Sequence, residues 1–120
     1  MEQYKKTLLI AEDNPELRTL LKRVLNADYL AIETKDGLEA WAVFNDGIII
    51  NGVLTDTEMP NMGGLELIAK IRDVNKDIPI ICMSGEPDYK QQALNAGANE
   101  FLLKPFNLSV LIEKIKMYLD

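Results

Sequence analysis

Short unbroken apolar runs alternate along this chain with longer stretches in which apolar residues recur every three or four positions. Thr7-Leu8-Leu9-Ile10-Ala11 is such a run, and a continuous rather than alternating apolar segment predicts a strand buried on both faces. It stops at Glu12-Asp13. Asn14 then stands as an N-cap with Pro15 at the first helical position, and Leu17, Leu20, Leu21, Val24 and Leu25 follow at helical spacing. Tyr29 to Glu33 is a shorter, mixed strand. Asp36-Gly37 turns the chain into a helix through about Asn45, with Leu38, Trp41, Ala42 and Phe44 as its apolar contacts, and Asp46-Gly47 closes it.

The next strand is expected at about Asn51 to Thr55, with Ile48-Ile49-Ile50 as a packed approach and Asp56 just past its end. Thr57-Glu58-Met59-Pro60 and the Asn61-Met62-Gly63-Gly64 loop lead into a helix from about Leu65 to Arg72, with Leu65, Ile68 and Ile71 on one face. Pro79 to Met83 predicts another buried strand ending at Ser84-Gly85-Glu86. A largely polar helix from Asp88 to Ala96 stops at Gly97, a residue suited to a left-handed terminus. Glu100 to Leu103 forms the fifth strand, ending at Lys104-Pro105. Asn107 caps a last helix whose buried stripe is Leu108, Leu111, Ile112, Ile115 and Leu119. Leu17, Leu21, Ile112 and Ile115 are read as core. Five strands alternating with five helices imply an α/β fold, a parallel sheet covered on both faces with right-handed crossovers. Periodicity leaves the strand order open.

Composition narrows the picture. At 120 residues the chain suits a single domain spanning 1–120. Thirteen bases against nineteen acids give a net charge of −6, the wrong sign for gripping phosphate backbones, so no direct nucleic-acid binding is expected. No apolar stretch reaches the roughly 18 residues of a bilayer span, and Met1 to Lys6 lead into too short a run for a secretory signal. The expected compartment is the cytoplasm, with no membrane partner. The lone cysteine, Cys82, lies in an apolar run and reads as core. The absence of histidine removes the commonest general base and zinc ligand.

Candidate chemistry sits at the strand ends. Glu12 and Asp13, Asp56, Ser84 and Lys104 each close a predicted strand, and in a parallel sheet all carboxyl ends share one crevice. Three carboxylates there repel and raise one another's pKa unless a cation intervenes. A hard divalent ion such as Mg²⁺ takes carboxylate oxygens and water, and with Lys104 opposite it would neutralise a transferring phosphoryl group. A carboxylate left over can attack phosphorus as a nucleophile, and Ser84 can hydrogen-bond a phosphoryl oxygen.

Glu12-Asp13, Leu54-Thr55-Asp56-Thr57-Glu58-Met59-Pro60, Ser84-Gly85, and Ala96-Gly97-Ala98-Asn99-Glu100-Phe101-Leu102-Leu103-Lys104-Pro105-Phe106 together resemble the receiver domains of two-component response regulators, the CheY-like family. The resemblance covers essentially the whole chain. It implies a flavodoxin-like (βα)5 doubly wound sheet in the order 2-1-3-4-5, with Asp56 as phosphoacceptor and Asp13 and Asp56 as direct Mg²⁺ ligands. Glu12 would act through water, and Glu58 would offer its backbone carbonyl. Lys104 would pair with the phosphoryl group, Ser84 and Phe101 would move as the switch pair, and the Lys104-Pro105 bond would be cis. The implied partners are a sensor histidine kinase or histidine phosphotransfer protein and a downstream effector. The effector would meet the helix from Asp88, the strand at Phe101 and the last helix. Glu58 and Glu86 flank the site, and Glu58 is expected to reach Lys104 before phosphorylation.

Three other readings compete. Aspartate-nucleophile phosphohydrolases of the haloacid dehalogenase type also end an apolar strand in Asp with an acid two residues on. They use Asp where this chain has Glu58, and the chain lacks room for their cap insertions. A flavin- or nucleotide-binding module is opposed by the acid pair at the first strand-helix loop, which repels phosphate. A receiver-like interaction domain that is not phosphorylated is opposed by the intact set of acids, hydroxyl and lysine.

Overall fold

The computed structural model describes residues 4–120; Met1 to Gln3, the start of the stretch that leads into too short an apolar run for a secretory signal, lie outside the described residues. One sheet carries β1 (Thr7–Ala11), β2 (Leu30–Thr34), β3 (Gly52–Asp56), β4 (Ile80–Ser84) and β5 (Glu100–Leu103). All neighbours are parallel and the order is β2-β1-β3-β4-β5, as in the flavodoxin-like receiver fold. The connections are α1 (Pro15–Leu25), α2 (Gly37–Phe44), α3 (Gly64–Val74) and α4 (Tyr89–Ala96), and α5 (Leu108–Leu119) closes the series. Among the described residues no helix is long and apolar enough to cross a membrane.

The unbroken apolar strands are explained by the two layers they serve. Successive strand side chains point to opposite faces. Leu9, Ala11, Val53, Ile80 and Cys82 join Ala40, Leu67, Ile68, Ile71 and Ala93 in one layer under α2, α3 and α4. Leu8, Ile10, Leu54, Ile81 and Met83 join Leu21, Leu25, Leu111 and Ile115 in the other, under α1 and α5. Cys82 is fully buried in the first layer, as its apolar neighbours implied. Burial of each such large side chain contributes about 1.5–3 kcal/mol, well above the few tenths at stake in helix propensity, so packing decides the element positions.

Helix starts are fixed by local chemistry. Asn14 accepts from the Leu17 N–H, Asp36 from the Glu39 N–H and Asn107 from the Ser109 N–H, each satisfying a donor that the first helical turn leaves free. Gly97 ends α4 at φ 122°, where a side chain would be strained. A Cβ on it would also fall 2.6 Å from the Arg72 side chain.

Several local expectations need correction. β2 starts at Leu30, because Tyr29 leaves the strand line to be buried with its hydroxyl on Asp120 Oδ1. β3 runs from Gly52 and includes Asp56. Asn51 instead pairs with β1 through both backbone and side chain at Thr7. Ile48 and Ile49 are exposed, and only Ile50 packs against the core. On α2 the buried positions are Gly37 and Ala40, with Trp41, Val43 and Phe44 partly covered, while Leu38 and Ala42 face solvent. Leu20 is likewise exposed, because Leu21 and Leu25 hold the inward line of α1, and Leu17 and Ile112 are only partly buried. α3 continues to Val74, and α4 begins at Tyr89 rather than Asp88.

Candidate functional site

The sheet register brings the strand ends together. Ala11 pairs with Thr55, Asp56 with Met83 and Ser84 with Leu103, so Glu12, Asp56, Ser84 and Lys104 follow one another across the carboxyl edge. Glu12 is fully buried, Asp56 is 7% exposed and Ser84 is buried, while Asp13 faces solvent. Asp56, Thr57, Ser84, Gly85, Lys104 and the two flanking acids Glu58 and Glu86 line a cleft of about 270 Å³.

Each buried charge has a partner. Lys104 Nζ donates to Glu12 Oε1 at 2.7 Å and lies 3.2 Å from Asp56 Oδ2. The Thr57 N–H donates to Asp56 Oδ1 at 2.9 Å, and the Asn14 N–H donates to Glu12 Oε2 at 3.0 Å. Burial pushes the Asp56 carboxyl up from its ordinary 3.8 to about 6, and the charge of Glu12 adds to the rise. Lys104 and the Thr57 N–H oppose it without cancelling it. Burial pulls Lys104 down, but its bonds to Glu12 and Asp56 outweigh burial and leave the ammonium harder to deprotonate than usual. One lysine against two buried acids and an exposed third leaves negative charge in excess.

That excess fits a cation. Oxygens of Glu12, Asp13 and Asp56 lie within 4.8 Å of one another, an all-oxygen donor set of the kind hard divalent ions take. Nothing in the set is soft or imidazole-like, so zinc and copper are poorly served.

Sequence comparison places this geometry among known proteins. The model of the response regulator receiver domain matches residues 8–116. The chain belongs to that family. This receiver domain is 36% identical over 120 residues to chemotaxis protein CheY1 of Helicobacter pylori strain J99, covering 93% of this chain and 95% of that one. It is 35% identical to the CheY homologue of Campylobacter jejuni strain 81-176, over 91% of this chain and 88% of that one. In structure it resembles the response regulator TrrA of Thermotoga maritima, solved with Mg²⁺ and BeF, with TM-score 0.87, 35% identity and 95% and 99% of the two chains covered. The receiver domain is thus a CheY-type signalling domain with an acidic pocket suited to aspartate phosphorylation.

Other expected positions fall as follows. The Lys104-Pro105 bond is cis. Phe101 is half-buried against the layer under α2 to α4. Ser84 Oγ accepts from the Glu86 N–H at 3.0 Å, five residues before α4 starts. Glu58 does not hold Lys104: the lysine gains more from two desolvated acids than from an exposed one. Glu58 instead lies beside the Tyr89 phenol and raises the pKa of that tyrosine.

Some contributors carry no motif. The Thr57 N–H is a backbone group, and the side chain of Thr57 leaves Oγ1 buried without a partner among the described residues. Asp36 accepts from Asn61 Nδ2 at 2.8 Å, and the Gly37 N–H donates to Met62 O at 2.9 Å, so the β2-α2 turn clasps the loop that follows Asp56. Arg18 Nη1 reaches the backbone carbonyls of Glu12 and Asp13. The Asp36-Gly37 turn signal was visible in the sequence, but nothing in it announced the partner loop.

Proposed function

We propose that this domain is a phosphorylation-controlled switch in which Asp56 accepts the phosphoryl group. The observation that supports it best is the pairing of Asp56 with Lys104 on one side and the Thr57 N–H on the other, at the floor of an open cleft. A donor phosphohistidine on a sensor histidine kinase or phosphotransfer protein would present phosphorus to Asp56. A carboxylate oxygen forms the new O–P bond as the donor N–P bond breaks, and the departing imidazole nitrogen keeps the electron pair and takes up a proton. Lys104 and the Thr57 N–H then face the new phosphoryl oxygens, and the Ser84 hydroxyl is placed to follow them. Having no histidine, the chain cannot hold the phosphoryl group that way itself.

Mg²⁺ is the cation proposed for the acid cluster, where it would neutralise charge on the phosphoryl oxygens. Asp13 and Asp56 are its direct ligands in this reading, with the Glu58 carbonyl. Both Glu12 oxygens are already hydrogen-bonded, which suits action through water. The added charge, roughly −2, would bias a pre-existing two-state equilibrium in which Ser84 and Phe101 rearrange. The downstream effector would meet α4, β5 and α5, where Leu94, Leu103, Val110 and Met117 are exposed. A cytoplasmic location and no direct nucleic-acid contact complete the proposal, and residues 1–120 are read as one such domain.

Incubation with Mg²⁺ and acetyl phosphate, read by intact mass, is expected to add one phosphoryl group to the native protein and none to Asp56→Asn. An adduct that survives in Asp56→Asn overturns the assignment. Sustained turnover of a phosphomonoester would instead favour the phosphohydrolase reading over a switch.

A further inference from the structure

Arg18 belongs to no motif at the site, yet its side chain turns back from α1 over the loop that carries the acid pair. Nη1 donates to Glu12 O at 2.9 Å and reaches Asp13 O at 3.4 Å. The side chain is 22% exposed, and Nε lies 4.0 Å from Glu33 Oε2 on β2, the neighbouring strand. One planar guanidinium therefore joins three elements: its own helix, the β1-α1 loop and β2. Such a fork holds its hydrogen-bonding partners in fixed directions, which a lysine ammonium does not.

The two carbonyls it holds belong to the two residues whose carboxylates point into the acid cluster. Glu12 is otherwise anchored, by its N–H on Thr34 O and by the Asn14 N–H and Lys104 on its carboxylate. Asp13 has no such support: it is exposed, and the Arg18 contact to its carbonyl is its one tie outside the loop in the hydrogen-bond network of the described residues. Asp13 is also the cluster member with no ammonium near its carboxylate, hence the one freest to meet an incoming cation.

We infer that Arg18 is a positioning residue for divalent-cation binding, holding the Glu12-Asp13 backbone so that the Asp13 carboxylate is presented toward Asp56. This rests on the Mg²⁺ reading above. Two effects of Arg18 oppose each other. Its positive charge near the cluster disfavours a cation, whereas its hydrogen bonds lower the cost of ordering the loop around one. Groups that orient a metal ligand commonly change affinity by 10- to 100-fold when removed. The charge itself is already partly offset by the Glu33 carboxylate, 4.0 Å from Nε, so its removal changes the field at the cluster less than a bare cation's would. Positioning should therefore win.

The sign of the effect tests the inference. Mg²⁺ alone is titrated calorimetrically into native protein, Arg18→Met, Arg18→Lys and Lys22→Met, well below each melting temperature so that only folded protein is read. Lys22 also pairs with Glu33, at 3.8 Å, but touches neither carbonyl, so its removal controls for charge. The expected result is Mg²⁺ binding weakened roughly tenfold in Arg18→Met, less in Arg18→Lys, and within about twofold of native in Lys22→Met, the shift a few tenths of a kcal/mol of screened charge produces. Unchanged or tighter binding in Arg18→Met overturns the inference. So does equal weakening in Lys22→Met, which would mean the pairing with Glu33 matters rather than the loop. If native protein binds no Mg²⁺ while all variants remain folded, the metal reading itself fails.

Discussion

Lys104 donates to Glu12 Oε1 at 2.7 Å across 92 residues of chain, and the carboxylate it meets is fully buried. A buried acid cannot lose such a partner without leaving an uncompensated charge. Breaking a fully buried pair typically costs 3–5 kcal/mol. Because the lysine side chain is 22% exposed and water can take its place, Lys104→Met is expected to lose about 2 kcal/mol at neutral pH in EDTA. Urea unfolding checks this. Saturating Mg²⁺ should restore part of the loss, because a cation then stands in for the ammonium; a loss that Mg²⁺ does not change would argue against the cation site.

Asp56 should make stability depend on pH in the opposite sense to an ordinary salt-bridged acid. Its carboxyl is raised to about 6 in the folded state, above its ordinary 3.8. The protonated form therefore favours folding below about pH 4, and that advantage is lost as pH rises through about 6. Above that pH the ionised group is a net cost. In EDTA at pH 7 to 8, Asp56→Asn should be more stable than native by about 1–2 kcal/mol, after allowance for the open cleft. The gain should fade toward zero as pH drops below 4. A gain that grows on acidification would be the wrong sign.

The clasp between Asp36 and Asn61 is a third point of test. The Glu39 N–H and the Asn61 side chain hold the Asp36 carboxyl below its ordinary range. Its stabilising effect is therefore present above the ordinary value and lost as pH falls through the lowered one. Asp36→Ala should cost about 1–2 kcal/mol at pH 7, the usual loss for a helix cap plus one hydrogen bond. That deficit should shrink below pH 4. Asn61 sits at φ 68°, so Asn61→Ala should be worse than Asn61→Gly, by up to about 1 kcal/mol. Paired thermal melts would show whether the order holds.

Gly64 tests how closely α3 approaches the site. A Cβ there would lie 1.9 Å from Asp56 O, and the obstacle is backbone rather than a flexible side chain. Gly64→Ala must displace the start of α3 or the end of β3. The expected cost is about 2 kcal/mol or more, with weaker Mg²⁺ binding in whatever folds. Denaturation and calorimetry on the same sample read both, and a neutral result for both would show that the helix start yields freely.

How far the residues alone could be read follows from which forces are local. The strands Thr7–Ala11 and Glu100–Leu103 coincide with their expected bounds, because each ends where an apolar run meets charge. Around Ile48-Ile49 the same logic failed, since an apolar run does not say whether anything lies opposite to cover it. The Glu58 expectation failed for a related reason. Its place flanking the site suggested a contact with Lys104, while relative burial decided that Glu12 and Asp56 would have it.

Residue order by itself determined the alternation of elements, the caps at Asn14 and Asn107, the turn at Asp36-Gly37, and the polar groups at four strand ends, because these depend on chemistry within a few positions. No local pattern put β1 between β2 and β3, an order that only the family resemblance implied, and tertiary structure alone decided that Lys104 bridges two acids. It also decided that Arg18 and Asn61 brace the loops at the ends of β1 and β3, beside the carboxylates. Those contacts depend on the free energy of desolvating charge and filling space between distant segments, and such energies exist only once the sheet has brought the segments together.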